Sequence, residues 1–146
     1  MGLLLRDFIV AIIINLIVFV FNYRGLIDGP GPSMFNFLLS VVFLVVWFIF
    51  GYKRGKEEKT HFLFVVSIFW IIGLTVSLVC MSLTATPLWI VAFIYLAPLN
   101  GIKYFGSGLF GPPLAYINNI VPLGVGILGF ILGRRKRKND SHSINT

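Results

Sequence analysis

The sequence predicts an all-α integral membrane protein with four transmembrane helices and one short re-entrant or interfacial helix, five spans being the alternative. Three observations carry this reading. Of the 146 residues, 58% are hydrophobic before the 15 glycines are counted, and only 12% are charged; a soluble domain reaches about 45–50% apolar with glycine included and about 25% charged. A small soluble fold with this composition lacks the polar residues to cover its outside. Apolar runs of spanning length, about 18 residues or more, recur along the chain. Basic residues gather in short blocks at the ends of those runs, where membrane proteins use them to set orientation.

Residues 8–21 are apolar apart from Asn15 and reach spanning length once residues 3–5 are added, giving a first span at 3–22. Arg6 and Asp7 are then expected to snorkel to the headgroups. A weakly basic start and no small-residue cleavage site at Phe21-Asn22-Tyr23 read as an uncleaved span. Arg6 stands where a myristoylation signal needs Ser or Thr. Gly29-Pro30-Gly31-Pro32 centres a connector, because proline lacks the amide and glycine the side chain that would continue either helix. The second span, 34–52, is rich in Phe and Val and is followed by a polar loop, 53–59. The third, 62–81, is the cleanest of the set, and the connector after it carries no charge.

Residues 87–99 are apolar for about 13 positions with Pro98 near the end, a length more typical of re-entrant or interfacial segments than of spans. A helix is expected at 87–98. The Gly- and Pro-rich stretch 100–113 is expected on the outer face, either lining a vestibule or capping the interface with Trp89, Tyr95 and Tyr104 at headgroup level. A last span at 114–133 ends in Arg134, Arg135, Lys136, Arg137 and Lys138, which completes a single domain at 1–138. Residues 139–146 read as a disordered tail.

Charge decides between four spans and five. With four, ten basic residues share one side: Arg6; Lys53, Arg54, Lys56 and Lys59; and the five from Arg134 to Lys138. Arg24 and Lys103 lie opposite. If 87–99 crossed, each side would hold six and the bias would vanish. Positive-inside logic favours four spans with both termini cytoplasmic, and the terminal pentad adds roughly 5 kcal/mol of attraction to an anionic leaflet. The composition and short connectors suggest a bacterial inner membrane.

In the last span Ala115, Asn119, Pro122, Gly126, Gly129 and Gly133 follow at spacings of 4, 3, 4, 3 and 4, a seam of small or polar residues where helix backbones approach closely. It packs on the protein's own spans or on another copy or partner. Pro122 is expected to kink the span, with Asn118 or Asn119 satisfying the freed carbonyl. Asn15, Asn118 and Asn119 are candidates for a polar track; an intramembrane amide otherwise bonds across helices and fixes register. Gly73 and Ser77 form a weaker small-residue pair, and Cys80 reads as an apolar filler with no base beside it.

No acidic, basic or histidine side chain falls deep within a span, which argues against a proton-coupled carrier. One cysteine excludes thiol oxidation by paired cysteines, and Asp28 alone excludes an intramembrane aspartyl pair. His61 and His142 read as interfacial or solvated. Gly124-x-Gly126-x-x-Gly129 has the letters of a dinucleotide loop but lies inside an apolar span. Asn139-Asp140-Ser141 spells a glycosylation sequon on the cytoplasmic side. No metal or cofactor is expected, and nucleic acid is discounted because the basic blocks flank spans. The expected partner is the lipid bilayer, with itself or another membrane protein second. These features lead to a non-enzymatic protein acting through helix association as an accessory or assembly subunit. The alternative is a small transporter or channel for a neutral or weakly polar solute.

Overall fold

The computed structural model describes residues 2–27, 31–82, 88–105 and 112–143. Helices α1 (Gly2–Ile27), α2 (Met34–Lys56), α3 (His61–Ser82), α4 (Leu88–Leu96) and α5 (Pro112–Ser143) follow in order, with a 3-10 turn at Asn100–Tyr104 between α4 and α5. Among the described residues α1, α2, α3 and α5 are long and apolar enough to cross a membrane, and α4 is not. The chain is a multi-pass membrane protein with a short fifth helix.

Helix α2 begins with a capping box: the Ser33 hydroxyl accepts the Asn36 amide, and the Asn36 side chain accepts the Ser33 amide at 2.9 Å. It ends later than its apolar run. Lys53, Arg54 and Lys56 occupy its last turn, where cations complement the carbonyl end of the helix dipole. Amides of Glu58 and Lys59 then close back on the carbonyls of Gly55 and Arg54, with Glu58 at φ 55°. This is a Schellman stop with a non-glycine residue in the left-handed position. The expected loop over 53–59 is therefore corrected: its first half is helix.

The closest packing joins α2 to α5. A Cβ added at Gly51 would lie 2.1 Å from the Gly126 carbonyl oxygen, and one at Gly55 2.0 Å from that of Phe130. In the other direction, Cβ atoms at Gly129 and Gly133 would meet the Phe48 and Tyr52 carbonyl oxygens at 2.3 and 2.1 Å. Backbones this near need glycine on both helices. Beside this contact Phe43, Trp47, Phe62, Phe69, Trp70 and Phe130 form a fully buried aromatic core. Phe8 of α1 meets Phe69 edge-on at 5.8 Å.

Two further expectations are corrected. Helix α5 does not stop at 133; it runs to Ser143, so residues 139–143 are helical, not a disordered tail, and 144–146 lie outside the described residues. Arg and Lys are good helix formers, and Lys136 pairs with Asp140 at i, i+4. Helix α5 also continues through Pro122. The Asn118 and Asn119 amides bond the Leu114 and Ala115 carbonyls instead of the one the proline frees.

Candidate functional site

Helix α4 has nine residues, about 13 Å at 1.5 Å per residue, or roughly half of a 30 Å hydrocarbon core. Its C-terminal Tyr95 rings against Phe69 and Trp70, at 5.1 and 6.1 Å. It also packs on Gly73, where an added Cβ would lie 2.2 Å from the Tyr95 ring. Gly73 is nine positions from the end of α3, so the segment enters the bundle to about that depth and turns back. Residues 97–101 form the turn and are all buried. Tyr95 is therefore a core residue and not a headgroup anchor. Asn100 and Gly101, expected on the outer face, lie inside, while Tyr104 and Phe105 are exposed.

Three other helices hold the turn. The Pro98 carbonyl accepts Asn22 Nδ2 from α1 at 3.1 Å and Ser40 Oγ from α2 at 2.8 Å. Asn118 Oδ1 on α5 accepts the Leu99 amide at 2.8 Å. Asn36 Nδ2 donates to Asn22 Oδ1 at 2.9 Å, which links the capping box of α2 to the turn. Gly101 lies against the Asn36 carbonyl, where a Cβ would approach to 2.0 Å. In hydrocarbon a backbone that leaves helical geometry survives when protein satisfies its polar groups, and these amides do so.

Buried polar atoms at this turn and on the helices beside it have no hydrogen-bond partner among the described residues: both side-chain polar atoms of Asn100 in the turn, Asn119 Oδ1 on α5, and Ser77 Oγ and Trp70 Nε1 on α3. Asn119 Oδ1 faces α3, 2.5 Å from where a Gly73 Cβ would lie. The carbonyl end of α4, with its partial negative charge, points into the same region. The arrangement suits a neutral ligand that both donates and accepts hydrogen bonds. Of the expected polar track, Asn118 and Asn119 come to the turn, the first as a brace and the second with a spare acceptor. Asn15 is buried on α1 and bonds the Ala11 carbonyl of its own helix, with Oδ1 also unpartnered; no hydrogen bond joins it to either. Ala115, Asn119, Pro122, Gly126, Gly129 and Gly133 are all buried. Asn22 carried no signal in the sequence, because it is a common polar residue at a span end.

A second polar cluster occupies the charged end. Asp7 is fully buried and receives Arg54 Nη2 at 2.5 Å; His61 Nε2 is 3.3 Å from its other oxygen, within ion-pair reach but off hydrogen-bond alignment. Snorkelling of Asp7 to the headgroups is thereby corrected, since the Arg54 counter-charge inside the bundle replaces the hydration that headgroup water would supply. Arg6 stays half exposed. His61 is a quarter exposed and leans on Asp7, more than the interfacial residue expected. Arg54 also donates to Glu57 at 2.8 Å, and Lys59 donates to the same oxygen at 2.6 Å. The Lys59 hydrogen bond, helped by Arg54 against the cost of burial, holds the Glu57 carboxyl below its ordinary value. Lys53 and Lys56, together with the run from Arg134 to Lys138, are exposed around this cluster, and Lys59 is partly buried. Cys80 is buried against Ala92, Leu96 and Ala115 as a filler.

No family model, curated protein or solved structure matches the chain.

Proposed function

We propose that this protein is a non-enzymatic, small solute-handling membrane protein that passes a neutral, hydrogen-bonding solute by way of its re-entrant turn. The observation that carries the reading is the buried turn itself, where a half-length helix ends and the unpartnered side-chain amide of Asn100 and the spare Asn119 Oδ1 of α5 are buried in the bundle. Broken helices that end within the bilayer are how many carriers present backbone and amide groups to cargo. An unpaired buried polar group costs about 1–3 kcal/mol, so a solute that completes these bonds would be favoured there. The seam on α5 was the ground for helix association, and it is filled by α2, α3 and α4 of the same chain. That face is taken, which leaves the solute reading ahead of the accessory-subunit one.

The same proposal places the protein in a cell membrane, of the bacterial inner type, with both termini in the cytoplasm, on the ten-to-two distribution of basic residues. Stopped-flow swelling of proteoliposomes with urea and glycerol as probes tests the function. Flux above protein-free vesicles, lost in Asn119→Leu with the helical content unchanged, is the expected result. Wild-type protein that moves neither probe faster than bare lipid would overturn it.

A further inference from the structure

A groove of about 390 Å³ opens between α3 and α5 at the charged end. Leu63 of α3 and Ile127 and Ile131 of α5 make its floor, and Arg134, Arg135 and Lys138 its rim. Ile127, Ile131, Arg134 and Lys138 follow at spacings of 4, 3 and 4, so they share one helix face. That face changes from apolar to basic at the point where α5 leaves its apolar span. The neighbouring basic residues are engaged elsewhere. Lys136 Nζ lies 3.4 Å from Asp140, Arg137 Nε lies 3.6 Å from Glu58, and Arg137 also donates to the Lys56 carbonyl at 3.1 Å. Arg134 and Arg135 have no acidic partner among the described residues.

We infer that this groove is a binding site for one anionic phospholipid, with its phosphate on Arg134 and Arg135 and an acyl chain along Leu63, Ile127 and Ile131. Guanidinium groups match phosphate oxygens in a planar, bidentate fit. The apolar floor selects a lipid over a soluble phosphate, because a free anion would leave that floor uncovered at bilayer depth. A diffuse attraction to an anionic leaflet would draw on all five basic residues alike; the groove assigns the lipid to Arg134 and Arg135, which no acid among the described residues neutralises. The inference is independent of the solute reading.

The test uses the full chain in nanodiscs of phosphatidylcholine doped with phosphatidylglycerol, followed by native mass spectrometry of the lipid that stays bound after release. Wild type is expected to retain phosphatidylglycerol. The double variant Arg134→Gln/Arg135→Gln should retain it about a hundredfold more weakly, taking about 1.5 kcal/mol per lost hydrogen bond to a charged group and 1.4 kcal/mol per tenfold. Lys136→Gln/Arg137→Gln removes the same charge outside the groove and should change retention by no more than about threefold. Equal losses in the two variants would overturn the site in favour of diffuse attraction. Retention of phosphatidylcholine as strongly as phosphatidylglycerol would also overturn it. Displacement of the bound lipid by millimolar inorganic phosphate would overturn the lipid assignment and mark a free-anion site.

Discussion

Asp7 is buried on α1, pairs with Arg54 of α2 and lies 3.3 Å from His61 Nε2 of α3, so one carboxylate meets side chains from two other helices. Breaking a buried ion pair on one side costs up to about 3–5 kcal/mol, and without Asp7 the Arg54 guanidinium keeps only the partly exposed Glu57. Asp7→Asn should therefore lower the melting midpoint of the detergent-solubilised protein, and Arg6→Gln, whose side chain is half exposed, should hardly move it. Glu57 adds a dependence on pH. Its carboxyl titrates below its ordinary 4.5 when folded, so its contribution is complete above that value and fades as the pH falls through the folded one. Melting curves taken downward from neutral pH should fall less steeply in Glu57→Gln than in wild type. Glu58 carries a left-handed backbone at φ 55°, a conformation that costs a side-chain-bearing residue about 1–2 kcal/mol. Its ion pair with Arg137 is exposed on both sides and worth little, so Glu58→Gly should raise the melting midpoint.

Between α2 and α5 the glycines are not equivalent. Gly51→Ala and Gly133→Ala drive a methyl into a partner carbonyl at 2.1 Å and should destabilise by about 1–3 kcal/mol. Gly124→Ala points into open space and should stabilise α5 by up to about 1 kcal/mol; equilibrium unfolding in mixed micelles separates the two outcomes. The repeat on α5 was readable because small residues at heptad spacing mark a close contact in lipid. Its partner on α2 was hidden: Gly51 and Gly55 straddle the place where apolar residues give way to Lys53 and Arg54. Hydropathy ends the span there, but backbone hydrogen bonding does not. The same confusion of membrane boundary with helix boundary turned the last turns of α5 into an expected tail. Helix α4 was legible from its length and Pro98. Its braces were not, because Asn22, Ser40 and Asn118 lie 76, 58 and 19 positions from the residues they bond. Asp7 and Arg54, 47 positions apart, escaped for that reason.

Across the whole molecule, the start of α1, the α2–α3 corner and the end of α5 share the charged end, and residue 105 lies toward the other. In a Cys80→Ala background, a membrane-impermeant thiol reagent added to one face should label Phe105→Cys, and added to the other face should label Lys56→Cys. Ala97→Cys, inside the turn, should resist both. Labelling of Phe105→Cys and Lys56→Cys from the same face would break the four-span topology. The pairing of α2 with α5 also imposes an order on biogenesis. A ribosome adds about 5–20 residues each second, so α2 leaves the translocation machinery while the helix that fits its glycine face is still unmade. Until α5 arrives, Gly51 and Gly55 present a narrow, lipid-filled furrow that any other small-residue helix could occupy. Quality control of this protein is thus concentrated in its final span. Chains cut short before α5 should be prime substrates for membrane proteases.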